Sequence, residues 1–314
     1  MPDIGRLADV LCRCAAGVLP ARVAAMHLLM QAESPEEAYR ALLRARKTSN
    51  GGAGGGRLRE VESLLAGQPQ AWAVVHGIIN KVQHRTPAGD SGHWAALFDD
   101  AARISPEASV ALYSLGSPRL LAAATLEVVS VLSQWGLVGR GRTVLDIGCG
   151  IGRLEAALSP LSAAVIGIDI SPGMIALART RCAACPNVRL LLGSGQDLAG
   201  IADDSVDLTV LVDTFPYLLL SQGRIAQRYL TEIARVARTG GDVVILNFSY
   251  RGDVAADRRE LERLAAPQGL ALARTAERPC ASWDAPAFHL IKRGSCPDGG
   301  NETRITMLPT GGED

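Results

Sequence analysis

Apolar residues follow two rhythms along this chain. In the second half, short unbroken apolar runs alternate with helical stretches. Thr143–Ile147, Ala164–Asp169, Val188–Leu192, Val206–Val212 and 243–248 read as strands, with helices between them. Unbroken apolar runs suit strands buried on both faces, and helical crossovers make successive strands parallel. Two further strands are expected at 270–275 and 288–292. The fold class is therefore α/β, a doubly wound and mostly parallel seven-stranded sheet.

The first half has the helical rhythm. Val23, Met26, His27 and Met30 fall on one helical face. Ser34-Pro35-Glu36-Glu37 is a helix start, with Ser34 as cap, Pro35 in the first turn and Glu37 at the capping-box position. Further helices are expected around 61–65 and 72–82. Between helices, 49–56 is glycine-rich and reads as a flexible linker. No strand precedes it and no Lys-Ser/Thr follows it, so it is not a phosphate loop. Ser105-Pro106 starts a helix bearing Val110, Leu112 and Tyr113, and Ser117-Pro118 starts another that runs to about Trp135. The expected organisation is a helical N-terminal region over 1–92, the α/β domain with its lead-in helices over 93–294, and a polar, disordered tail over 295–314.

Composition narrows the function. Hydrophobic residues make up 48% of the 314, enough for a sizeable core. Lys+Arg and Asp+Glu are 32 each, so nothing in the charge supplies the basic face that nucleic acid requires. No signal peptide is evident, and no apolar run is long enough to cross a bilayer, which points to the cytoplasm. The seven cysteines are scattered and read as reduced thiols. Cys182 and Cys185 form a single CxxC with no second ligand pair, so no metal site is expected.

Chemistry concentrates at the first strand exit. Asp146-Ile147-Gly148-Cys149-Gly150-Ile151-Gly152 carries an apolar strand into a glycine loop and then a helix. Its glycines let the backbone turn sharply and approach a ligand. The second strand ends in Asp169, which in a doubly wound sheet faces the same crevice. A carboxylate there suits a ribose diol. Dinucleotides and S-adenosylmethionine share this logic. The dinucleotide fingerprint is GxGxxG, whereas here Leu154 follows Arg153, and Asp146 would oppose a pyrophosphate but suits an ammonium.

Residues 144–153 resemble the first motif of class I S-adenosylmethionine-dependent methyltransferases. Asp169-Ile170-Ser171-Pro172-Gly173-Met174 resembles that family's run from the second strand into its helix. Residues 191–198, 205–213 and 235–241 resemble the third-strand exit, the fourth strand and the turn before the fifth. The likeness covers roughly the second half of the chain. It implies that Gly148, Cys149, Gly150 and Gly152 wrap the methionine portion of S-adenosyl-L-methionine. Asp146 would help bind its ammonium, Asp169 and the adjoining Ile170 its ribose, and Met174 the adenine face. Where the family usually has an aspartate after the third-strand glycine, this chain has Ser194; Ser194, Gly195 and Asp197 are the candidates for the adenine contact.

The fourth-strand exit, Asp213-Thr214-Phe215-Pro216-Tyr217, resembles the (D/N)PP(Y/F) signature of amino methyltransferases without matching it. A small or medium organic acceptor with an O, N or C nucleophile is therefore expected. Asp213, as base or ligand contact, Tyr217 and Tyr113 are the candidate catalytic residues, with Phe215 and Trp283 as further pocket walls. His289 reads as a structural histidine. The rival reading is a regulatory or assembly protein that binds the cofactor without methyl transfer. The N-terminal helices carry no legible chemistry and are candidates to close the pocket, to form a homodimer or to bind a protein partner.

Overall fold

The computed structural model describes residues 4–49, 52–83, 91–221 and 224–294. The proposed tail at 295–314, and His84, lie outside them.

Helices come first: α1 Ile4–Ala15, α2 Ala21–Gln31, α3 Pro35–Thr48, α4 Gly52–Ala66, α5 Ala71–Gln83, α6 Ser91–Ile104, α7 Pro106–Val110 and α8 Pro118–Gln134. Ser34 caps α3 as its sequence predicts, accepting from the Glu37 N–H at 3.1 Å. Glu37 reaches back to the N–H of Glu33 at 2.7 Å, one residue before the expected cap amide. Ser105 and Ser117 cap α7 and α8 in the same way. The glycine run differs from expectation. Gly52–Gly56 open α4 instead of forming a linker, and Gly55 is buried in the helix packing. The absence of a Cβ lets α4 lie close to α1: a Cβ on Gly54 would sit 3.1 Å from the Ala15 carbonyl oxygen.

The α/β part follows as β1 Thr143–Ile147, α9 Arg153–Leu158, β2 Ala164–Asp169, α10 Pro172–Arg181, β3 Val188–Leu192, β4 Val206–Val212, α11 Phe215–Leu220, α12 Arg224–Val236, β5 Ala237–Leu246, α13 Val254–Ala265, β6 Leu270–Ala276 and β7 Ala287–Lys292. The seven strands lie in the order β3-β2-β1-β4-β5-β7-β6. The first five are parallel, and β7 runs antiparallel to both β5 and β6. The chain thus winds outward from β1 in both directions, which opens a crevice above β1 and β4.

Strand alternation divides the core. On β5, Val243 and Ile245 pack with α12 and α13, whereas Val244 and Leu246 face α8, α9 and the N-terminal helices. One continuous cluster runs from Leu7 of α1 through Leu28 of α2 to Val144 of β1. The helical region is therefore packed into one face of the sheet.

Candidate active site

A cavity of about 710 Å³ opens at the C-terminal ends of β1, β2 and β4, roofed by α2, α5, α6 and α7. Its floor is the loop after β1. The N–H groups of Gly148 and Cys149 both donate to the Ile168 carbonyl, at 2.8 and 3.1 Å, stitching the loop to β2. Gly150 adopts φ +53°, and a Cβ there would meet Val110 Cγ1 at 2.6 Å, so only glycine admits α7 this close. Gly152 has a different task. It has φ +74° and a Cβ would press on Ala178 of α10 and on Cys182 Sγ at 3.0–3.1 Å. It does not line the cavity; its contribution is to let α9 and α10 approach.

Asp169 stands at the rim of β2. Its Oδ2 accepts from the Gly150 N–H at 2.8 Å and its Oδ1 from the Ser171 N–H at 2.9 Å. A carboxylate has about four acceptor sites, so capacity remains beyond these backbone donors for a ligand hydroxyl. Burial raises its pKa, and the backbone donors counter that rise. Asp146 on β1 is 2% exposed, and its Oδ1 has no hydrogen-bond partner among the described residues. Glu155 of α9 is buried beside it, also over β2 Gly167. Burial, reinforced for Glu155 by the neighbouring acid, holds both carboxyls above their usual range. A proton shared between the two carboxyls satisfies the pair from within, and a cationic group at the cavity wall would satisfy Asp146 in its place.

The β4 and β5 exits form the opposite wall. Asp213 and Asn247 both adopt left-handed backbone, with φ 59° and 65°. Such strain in non-glycine residues persists only where the surroundings enforce it. Here the Asp213 N–H donates to the Leu246 carbonyl, and Asn247 Nδ2 donates to Asp213 Oδ1 at 2.7 Å. The Tyr250 hydroxyl adds a second donor to Oδ1 at 3.1 Å. Burial pushes the Asp213 carboxyl up to about 6, against those two side-chain hydrogen bonds. Tyr217 lies edge-on to Trp94, Phe98 and Tyr250, and Tyr113 stacks on Trp283 with ring centroids 5.6 Å apart. Burial raises both tyrosine hydroxyls.

Helix α6 clasps the roof to the floor. Asp99 Oδ1 accepts from the Gly173 N–H at 2.9 Å and from the Ser171 hydroxyl, capping α10. Trp94 Nε1 donates to Ser221 Oγ at 2.8 Å, just past α11.

Most of the sequence-expected residues meet in this cavity: Asp146, Gly148, Cys149, Gly150, Asp169, Ile170, Met174, Gly195, Asp213, Tyr217, Tyr113 and Trp283. Ser194 and Asp197 do not. Ser194 Oγ donates to Asp197 Oδ1 at 3.1 Å, and Asp197 faces Arg228 at 3.4 Å, so the two engage each other outside the cavity. Gln196 lines it between them. Phe215 is fully buried on the far face against Phe248, not a pocket wall. His289 is structural, its Nε2 2.7 Å from Asp242 Oδ1 in the middle of β5.

The sequence reading missed Arg153, Asn247, Tyr250 and the roof residues. Arg153 is 8% exposed, lines the cavity, and has one side-chain hydrogen bond, from Nη1 to Thr125 Oγ1 at 3.2 Å. Its place directly after the glycine loop was the available signal. Among the described residues, no group of His, Cys, Asp and Glu could hold a metal ion, and no helix is long and apolar enough to cross a membrane.

Residues 145–245 match the family described as Methyltransferase domain. Demethylmenaquinone methyltransferase of Tropheryma whipplei (strain Twist) is 38% identical over 113 residues, covering 36% of this chain and 44% of that protein. Its namesake in Clavibacter sepedonicus is 30% identical over 158 residues, covering 50% and 59%. This chain thus spans about half the length of these curated relatives. Phosphoethanolamine N-methyltransferase 1 of Haemonchus contortus, solved with phosphoethanolamine and S-adenosylhomocysteine, aligns with a TM-score of 0.53 at 18% identity, over 68% of this chain and 51% of that one. It shares the fold.

Proposed function

The α/β part of this chain is a class I S-adenosylmethionine-dependent methyltransferase domain, and from that premise we propose that the protein transfers a methyl group to a small organic acceptor bound in the roofed cavity. The observation that carries this reading is the pair of carboxylates on the cavity wall. Asp146 lines the cavity beside Glu155 with no geometric donor on its Oδ1, and Asp169 keeps acceptor capacity beyond its backbone donors. That set fits the ammonium and the ribose diol of S-adenosyl-L-methionine.

In this assignment Asp146 receives the ammonium, and Gly148, Cys149 and Gly150 bring backbone against the methionyl chain. Arg153, on the same wall, pairs the methionyl carboxylate, so an acid and a guanidinium together match an amino-acid zwitterion. Asp169 holds the ribose. Met174, Ile170, Gly195 and Gln196 border the adenine. When bound, the cofactor supplies a methyl group made electrophilic by its sulfonium. The residues have only to align an acceptor and exclude water. Asp213, fixed by Asn247 and Tyr250, orients polar groups at the reacting end. Tyr113 and Tyr217 close its sides as rigid walls.

The curated relatives act on a small molecule by name, which supports a small-molecule acceptor. A cavity that extends past the carboxylate pair also favours transfer over mere cofactor binding, since a binding module needs no space there. Calorimetric titration with S-adenosylmethionine, S-adenosylhomocysteine and NAD tests the cofactor. Micromolar binding of the first two without the third is expected. Asp169→Ala should weaken binding by about 1.5–3 kcal/mol, the worth of charge-assisted hydrogen bonds. Unchanged affinity in that variant would remove the ribose assignment.

A further inference from the structure

The two ends of the cavity differ in chemistry. The glycine-loop end carries the carboxylates and Arg153. The roof end is built by helices that precede the matched domain. Val23, Met26, His27 and Met30 of α2, together with Ile78 and Ile79 of the adjoining α5, line it. The neighbouring α2 residues Ala24, Ala25, Leu28 and Leu29 are buried in the core, but Met26, His27 and Met30 are only partly buried. What leaves them uncovered is the cavity. Two methionines make an adaptable apolar wall.

Polar groups meet this apolar end at one place. His27 from α2 lies across from Asp284, which follows the Tyr113-stacked Trp283, and Asp213 is on the adjoining wall. The charged groups felt by His27 are Asp284, from the loop between β6 and β7, and Arg13 of α1. Burial is the largest influence on the imidazole and lowers its pKa, which keeps the ring neutral; Asp284 opposes that fall and favours the protonated ring. An anionic acceptor would face both Asp213 and Asp284, so the site disfavours one.

We propose that α2 and α5 form the acceptor-binding half of the site, that the acceptor is a neutral, largely apolar phenol or enol, and that His27 takes its hydroxyl proton. This rests on the methyltransferase reading above. As the acceptor oxygen attacks, the new carbon–oxygen bond forms while the methyl–sulfur bond breaks. Its electron pair stays on sulfur as a neutral thioether. The hydroxyl proton passes to the imidazole, and Asp284 stabilises the resulting imidazolium.

The test uses the full chain saturated with S-adenosylhomocysteine, with 4-nitrophenol as probe, because its phenolate absorbs visible light. Asp213 and Asp284 should hold the bound probe protonated, so that it ionises at higher pH than the free one. His27→Asn should keep the probe bound but raise its ionisation further, since the imidazole no longer takes the proton; His27→Gln gives the same contrast should the first variant fail to fold. Met30→Trp, which fills the apolar end, should weaken probe binding about tenfold or more. It should leave S-adenosylhomocysteine affinity within about twofold, since the two sites share no partner at Met30. Failure of 4-nitrophenol to bind, unchanged binding in Met30→Trp, or unchanged ionisation in both His27 variants overturns the proposal. If the parent does not bind S-adenosylhomocysteine, it is the cofactor reading that falls.

Discussion

At the scale of single residues, charge and burial oppose each other throughout this site. Asp213 shows the balance. Its carboxyl is raised to about 6 by burial, above the ordinary aspartate value of 3.8. The folded state therefore holds this proton more tightly than the unfolded chain does. Stability from this group is complete below about pH 4 and is lost as pH rises through 6. Asp213→Asn keeps an oxygen for the Asn247 and Tyr250 donors without the charge. It should raise stability at pH 7 by about 1–2 kcal/mol and flatten the unfolding profile between pH 4 and 6. Urea melts across that range check this; a variant less stable than the parent at pH 7 contradicts it. Arg153 is separable from its neighbours by changing the ligand. Decarboxylated S-adenosylmethionine should bind the parent about tenfold or more weakly than the intact cofactor. Arg153→Met should abolish that difference. Equal affinity of the two ligands for the parent would rule out the carboxylate pairing.

The residues that declared themselves in the sequence share a property. Asp146, Asp169 and the glycine loop act through local chain geometry, so the spacing of strand, loop and strand carries their meaning. Asn247, Tyr250 and Asp99 act across the fold. Asn247 reaches Asp213 only because β5 lies beside β4, a pairing that no local spacing encodes. Ser194 and Asp197 were misread for a related reason. The loop after β3 turns Gly195 and Gln196 inward and lets the two polar side chains bond each other.

At the scale of elements, strands and helices were legible because their apolar periods are long and regular. The glycine run was not. Glycine composition suggests a flexible link, but tertiary contact overrides intrinsic propensity, and at Gly54 α4 lies close enough to the Ala15 carbonyl that a side chain would crowd it. Helix α10 depends on partners from elsewhere as well. Its first turn is capped locally by Ser171 and from α6 by Asp99. Asp99→Ala should cost about 1–2 kcal/mol, as loss of a capping carboxylate does. It should also weaken S-adenosylhomocysteine binding, because α10 begins at the ribose-binding rim. Paired denaturation and calorimetry would show both effects; a loss of stability with unaltered affinity would uncouple α6 from the cofactor floor.

At the scale of the whole molecule, the N-terminal helices and the sheet share one core. The sequence presents them as separate regions, since the resemblance it carries stops short of the helices. Packing unites them: Leu7, Leu28, Val144 and Val244 belong to a single buried cluster. The described structure therefore uses these helices as part of the cavity wall. Of the roles open to these helices in the sequence, closing the pocket is the one their packing serves.

Helix α6 has a consequence for turnover. It is fastened at Gly173 beside the end of β2 and at Ser221 beyond the end of β4, and so lies like a bolt across the β1 loop. Release of a product nucleoside seated beneath it is expected to wait until one fastening is drawn. The first catalytic cycle should accordingly run ahead of those that follow, giving a burst of product before a slower steady rate. Trp94→Phe, which removes the hydrogen bond to Ser221, should quicken the steady rate while the burst amplitude falls. Rapid-mixing measurements would display both phases, and a linear time course from the first turnover would mean that the bolt never sets the pace.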